Sequence, residues 1–235
     1  MPDPAALRAR VAEVRNRIQR AAARAGRDPS HVRLVAVSKT VSAEDVRIVA
    51  ETGQLDFGEN KVQEAEAKRL QTSDLPLRWH LVGHLQSNKA RKAAVEFDVI
   101  HSVHDPVLVR KLDAAAKESG RRVELLVQVD LAREPTKHGA REDELEVIFE
   151  AGKVSRAATL SGLMLLPPWT ADPEGSRPWF RQLRAVRDRL LAHGVAPSML
   201  RELSMGMSHD FEVAIEEGAT FVRIGTAIFG SRSDR

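Results

Sequence analysis

The stretch VRLVAVSKTVSAEDVRIVAETG (residues 32–53) contains one complete structural unit. Its opening, VRLVAVS (32–38), is a run rich in Val and Leu, as expected of a parallel strand buried on both faces. Ser42 then stands at a helix N-cap position, and 43–53 continues with apolar residues at helical spacing. The same strand, turn and helix recur along the chain. Further apolar runs fall at LDF (55–57), WHLVG (79–83), DVIHSV (98–103), VELLVQVD (123–130), LSGLMLL (160–166), ELSM (202–205) and FVRIG (221–225), which makes eight strands. Helical segments at 60–71, 87–95, 106–119, 141–152, 174–193 and 209–218 fill the intervals between most of them. Eight such units predict an α/β fold, a single (β/α)8 TIM barrel, with an additional N-terminal helix over 5–25 whose Leu7, Val11, Val14 and Ile18 form one stripe. The competing arrangement is an open doubly wound sheet, but neither G-x-G-x-x-G nor G-x-x-x-x-G-K-[ST] follows the first strand. PPWTADPEGSRP (167–178) reads as a long strand-to-helix loop rather than a linker, so residues 1–235 are expected to form one domain.

Composition narrows the chemistry. With 43% hydrophobic and 29% charged residues, and no apolar run near the roughly 18 residues of a membrane span, the expectation is a cytoplasmic protein without membrane contact. The first thirty residues are Arg-rich but lack the apolar core of a signal peptide. There is no Cys, which excludes disulfides, thiolate nucleophiles and Cys-ligated zinc, and no metal site is expected. There is also no Tyr, which excludes a phenolic acid or base. A net charge of +3 and 4% aromatic residues argue against nucleic acid as a partner.

Within a barrel, chemistry belongs to the C-terminal ends of the strands. Lys39 ends the first strand there; apolar surroundings favour the neutral amine that a Schiff base requires, while the plainer alternative is a solvated turn lysine. Ser204, Gly206, Ser208, Gly225 and Thr226 cluster after strands 7 and 8, where barrels hold phosphate on backbone N–H groups. Turn glycines and a Ser208 helix cap would give the same pattern. Arg223 interrupts FVRIG, and alternation points it away from the face of Val222 and Ile224, toward the barrel mouth. A ring nitrogen or a carboxylate would serve as its partner. Asn60, before the third helical segment, is either a cap or a mouth residue; Lys137 is a loop cation. His80 and His84 read as core or rim histidines, because a strand end and turn separate them. Glu142, Asp143, Glu144 and Glu146 read as an exposed helix start.

The motifs AVSKT (36–40), FGENKVQE (57–64), WHLVGHLQSNK (79–89), EPTKHG (134–139), GLM (162–164), LSMGMS (203–208) and VRIGTAIFG (222–230) together resemble the pyridoxal phosphate homeostasis proteins over almost the whole chain. The resemblance implies the barrel of the alanine racemase N-terminal type, without its second domain. It implies pyridoxal 5'-phosphate (PLP) as cofactor, held as an aldimine by Lys39, with Arg223 facing the pyridine nitrogen. Ser204, Gly225 and Thr226 would hold the phosphate, and Ser208 and Asn60 complete the implied cofactor-binding set. The implied role is intracellular PLP storage and delivery to apo PLP-dependent enzymes, by a monomer, without catalytic turnover. An absent tyrosine and an always-protonated Arg at the ring nitrogen agree with that, because a racemase of this fold uses a tyrosine base and a strong electron sink needs a protonated ring. The alternatives are a narrow PLP-dependent racemase or lyase, a Schiff-base aldolase, or an interaction module built on the Arg-rich first helix.

Overall fold

The computed structural model describes residues 3–133 and 138–230. Its strands are β1 (Arg33–Val37), β2 (Asp56–Glu59), β3 (Arg78–Leu81), β4 (Val99–Val103), β5 (Val123–Gln128), β6 (Ala158–Met164), β7 (Glu202–Met207) and β8 (Phe221–Ile224). The helices are α1 (Pro4–Arg24), α2 (Ala43–Ala50), α3 (Val62–Gln71), α4 (Ala90–Glu96), α5 (Pro106–Glu118), α6 (Leu145–Lys153), α7 (Arg177–Ala192), α8 (Phe211–Glu216) and α9 (Thr226–Phe229). Every strand pairs in parallel with the next, and β8 returns to β1 with Val35 opposite Arg223 and Ala36 opposite Ile224. The result is the expected closed eight-stranded barrel ringed by helices, with α1 added outside.

Strand alternation separates two cores. Leu34, Ala36, Trp79, Leu81, Ile100, Leu125, Val127, Val222 and Ile224 point outward and are buried under the helices. Val35, Val99, Leu126, Met164 and Phe221 point inward and form a small apolar cluster on the axis. The remaining interior is polar: His80, His101, Ser204 and Arg223 are buried between the strands. A barrel interior usually stacks branched apolar residues in layers, so this polar column is the departure that matters. The opposite end of the barrel is closed by charge, with Arg78 on Glu124 at 2.5 Å and Arg33 on Glu202 at 2.6 Å.

The expected strands are all present, and the helices differ at their ends. Ser42 caps α2 by accepting the Asp45 N–H at 3.1 Å, as its spacing predicts, but α2 stops at Ala50 and a turn through Gly53 follows, with φ of 81°. The segment 60–71 becomes helical only at Val62, leaving Asn60 outside α3. The starts of 87–95, 141–152 and 174–193 are tighter 3-10 turns. Four-residue α9 is too short to show a helical period and was not expected.

Candidate functional site

A cavity of about 540 Å³ opens at the C-terminal end of the barrel, lined by Lys39, Asn60, Ser208, Arg223, Gly225 and Thr226 among others. The site-bearing positions come together because parallel strands deliver every one of their C-terminal ends to the same face. Lys39 is half-buried at the cavity wall. Its turn is sharp, because the Val41 N–H donates to the Ser38 carbonyl at 2.9 Å and Thr40 takes a left-handed φ of 61°. A β-branched residue there is strained, and such strain persists only where the surroundings impose it.

Part of that imposition is a buried ion pair behind Lys39. Lys68 of α3 donates to Glu59 Oε1 and to the Ser38 carbonyl, both at 2.5 Å, and the Ser38 hydroxyl donates to the same carboxylate oxygen at 2.6 Å. Burial pushes the Glu59 carboxyl up, against the opposing pull of Lys68 and Ser38. Within a helical pattern Lys68 reads as an ordinary solvated lysine; it is instead committed to the backbone that precedes Lys39. An acidic strand end four residues or more from a helical lysine carries no signal by itself.

Asn60 lies on the cavity wall rather than capping α3, whose N-cap is Lys61. Gly83 makes this possible: a Cβ at that position would stand 2.3 Å from the Asn60 carbonyl oxygen, so only glycine lets the loop after β3 press so close. His84 lies on the wall with its ring stacked on His138 at 3.7 Å, and His104 packs against its other side at 5.3 Å. Burial first, then these two neighbours, lowers the His84 pKa. Residues 134–137, including Lys137 and most of the EPTKHG motif, lie outside the described residues. The acidic segment forms an exposed turn at Glu142–Glu144 that leads into α6.

Arg223 is 4% exposed and reaches the cavity floor. Its guanidinium donates to Ser204 Oγ at 2.6 Å and to the Leu165 carbonyl at 2.8 Å. Burial brings its pKa down to about 10, with Asp210 opposing, so it stays cationic at neutral pH. Ser204 is fully buried within β7 and is not among the residues lining the cavity; its hydroxyl is engaged by Arg223 and His101. Ser208 is no cap for α8, whose N-cap is Asp210; its hydroxyl oxygen accepts the N–H groups of Gly225 at 3.2 Å and Ala227 at 3.3 Å. Gly206 has a φ of 91°, and a Cβ there would stand 2.6 Å from that of Ala214, so glycine is obligatory. Among the described residues no group of three His, Cys, Asp or Glu could hold a metal ion, and no helix is long and apolar enough to cross a membrane.

Comparison with known proteins agrees with this geometry. The model of the alanine racemase N-terminal domain matches residues 9–233. A pyridoxal phosphate homeostasis protein of Aquifex aeolicus is 42% identical over 224 residues, covering 95% of this chain and 97% of its own. The chain belongs to the pyridoxal phosphate homeostasis protein family. The Escherichia coli K12 member is 36% identical over 228 residues, covering 94% of this chain and 95% of its own. Among solved structures, PipY of Synechococcus elongatus PCC7942 with PLP bound superposes with a TM-score of 0.84 at 39% identity, over 95% of this chain and all of that one. An alanine racemase of Clostridium difficile reaches a TM-score of 0.73 at 16% identity, and this chain spans 56% of it. That last likeness is one of fold alone.

Proposed function

We propose that the cavity binds pyridoxal 5'-phosphate and that the protein, a single barrel domain, works in intracellular PLP homeostasis by holding the cofactor and handing it to apo-enzymes. The observation that carries this is the convergence of an amine, a guanidinium and a glycine-hydroxyl turn on one cavity: Lys39 after β1, Arg223 in β8, and Ser208 with Gly225 and Thr226 beside it. The residues fit the group. Lys39 supplies the amine for covalent attachment, and Lys68, already bound to Glu59, does not compete. Arg223 would face the ring nitrogen as a donor. The Gly225–Thr226 turn, with the N–H groups now met by Ser208 Oγ, would hold the phosphate. Ser204 holds Arg223 rather than the phosphate, and Asn60 borders the ring side of the cavity. PipY, solved with PLP bound, supports the same reading.

When bound, PLP supplies an aldehyde for amine exchange and a ring able to draw electrons from it. Arg223 cannot give the ring nitrogen a proton, which keeps that draw weak. The chain also has no tyrosine to act as a second base. Both features support storage without turnover, and we read the protein as a cytoplasmic monomer. Borohydride reduction of the loaded protein followed by peptide mapping tests the reading: the adduct is expected on Lys39, and Lys39→Ala should lose the long-wavelength absorbance while staying folded. Incubation with L-amino acids in deuterated water should give slow or no α-deuteration. An adduct on another lysine, or exchange with many turnovers per second on one amino acid, would replace this reading with that of an enzyme or of a different site.

A further inference from the structure

The polar column inside the barrel is continuous from end to end. Arg223 donates to Ser204 Oγ at 2.6 Å, Ser204 Oγ meets His101 Nδ1 at 2.8 Å, His101 Nε2 meets His80 Nδ1 at 2.9 Å, and His80 Nε2 meets Asp56 Oδ1 at 2.7 Å. It begins at the cavity floor and ends at the other face of the barrel, at the first residue of β2. Nothing in the cofactor reading requires His101, His80 or Asp56 to be polar.

The donors dictate one another. The direction is set at the Asp56 end. An ionised Asp56 carboxylate only accepts, so His80 donates to it from Nε2 and, as a neutral ring, leaves its Nδ1 unprotonated. That nitrogen accepts from His101 Nε2, which leaves His101 Nδ1 unprotonated in turn, to accept the Ser204 hydroxyl proton. Ser204 Oγ keeps its lone pairs for Arg223, which can only donate. Neutral rings agree with their surroundings: both are fully buried against the edge of Phe221, at 5.6 Å for His80 and 5.3 Å for His101. Burial lowers the pKa of His80 and lowers that of His101 well below the ordinary value.

We propose that these five residues form one directional chain with both histidines neutral and protonated on Nε2, and that Asp56 is a positioning residue for the cofactor, fixing from the far end the orientation of the guanidinium that faces its ring. The second half rests on the PLP reading; the first does not. The titratable and charged groups facing Asp56 are His80 and Arg78 of β3, with Arg78 at 3.7 Å, and Arg33 of β1. Those facing the histidines include Arg33, Arg78, Glu124 and Arg223.

Two substitutions separate charge from direction. Asp56→Asn can still accept from His80 through its amide oxygen and removes only the charge. Asp56→Leu leaves His80 without an acceptor, which frees its tautomer to turn over and set two N–H groups against each other. We expect PLP affinity to fall by about threefold to tenfold in Asp56→Asn and by more than about tenfold in Asp56→Leu, with a shifted pH profile of the bound-cofactor absorbance in both. Ser204→Ala should resemble Asp56→Leu. Two-bond 15N–1H spectra of the unmodified, PLP-free protein need no variant at all: at pH 7 they should find His80 and His101 neutral and protonated on Nε2. A proton on Nδ1 of either ring, or an imidazolium, overturns the chain. Unchanged affinity and pH profile in Asp56→Leu overturn the positioning role. If the wild type takes up no PLP, the cofactor reading fails together with that role, while the spectra still decide the tautomers.

Discussion

Gly225 carries no left-handed backbone, so its lack of a side chain matters for space rather than for conformation. A Cβ there would stand 3.2 Å from the Val37 carbonyl, tight but tolerable, and anything larger would project into the anion turn. Gly225→Val is therefore expected to leave the barrel folded and to weaken PLP by more than about tenfold while pyridoxal, which lacks the phosphate, loses less than about threefold. Equal losses in titrations of the two would remove the phosphate from this turn. Legibility in the sequence follows the same line. Lys39, Arg223 and Gly225 announce themselves because a cation in an apolar strand, or a glycine just past one, breaks a local rule. The depth of Ser204 was not legible, because a serine at a strand end reads the same above or below a cavity floor. His101 was overlooked inside DVIHSV, although polar residues at alternate strand positions in His101, Ser204 and Arg223 are the trace of an inward-facing column. One strand at a time, that alternation does not say which face is the barrel interior.

At the level of elements, the strands were legible because both of their faces are apolar, and helix ends were not, because 3-10 turns and glycine turns stop a helix without altering its pattern. The first helix is the clearest case of agreement. Its stripe of Leu7, Val11, Val14 and Ile18 is buried, with α1 packed on α2, α8 and α9. Asp3 caps it, accepting the Ala5 N–H at 3.1 Å, and Arg27 just beyond it donates to the carbonyls of Ile215 and Ala219 at the end of α8. Since Leu7 is fully buried on the outer wall and remote from the cavity, Leu7→Ala should cost about 3 kcal/mol in urea unfolding with PLP affinity unchanged. Loss of binding alone would instead tie α1 to the site. The Arg-rich face reads accordingly: Arg17 pairs with Glu212 at 2.8 Å and Arg24 with Glu216 at 2.9 Å, so these charges clamp α8.

For the whole molecule, the buried histidines set the response to acid. A ring whose pKa is lowered on folding binds its proton more readily in the unfolded chain, so its stabilising effect is complete above the unfolded value near 6.5 and is lost as pH falls below it. Both buried rings act in this sense, and so does His84 at the cavity wall. Asp56, whose own burial is outweighed by the His80 hydrogen bond and the Arg78 and Arg33 charges, has a lowered carboxyl and adds to the loss only below about pH 4. Glu59, raised by burial, acts the other way. The histidines outnumber that one carboxyl and give a net fall, by up to about 1.4 kcal/mol per pH unit for each buried ring, between pH 7 and pH 5. Urea titrations across that range should find it, and a flat profile would mean that one ring is already charged in the fold.

The closure of β8 onto β1 also sets a clock. Lys39 follows the first strand to be synthesised, whereas Arg223 and Gly225 belong to the last, and the two strands become neighbours only when the barrel shuts. A nascent chain thus exposes Lys39 long before it has Arg223 or the Gly225 turn to place beside it. On the proposed reading, the complete pocket exists only once the final strand has left the ribosome and docked, so tight cofactor capture would certify a finished barrel.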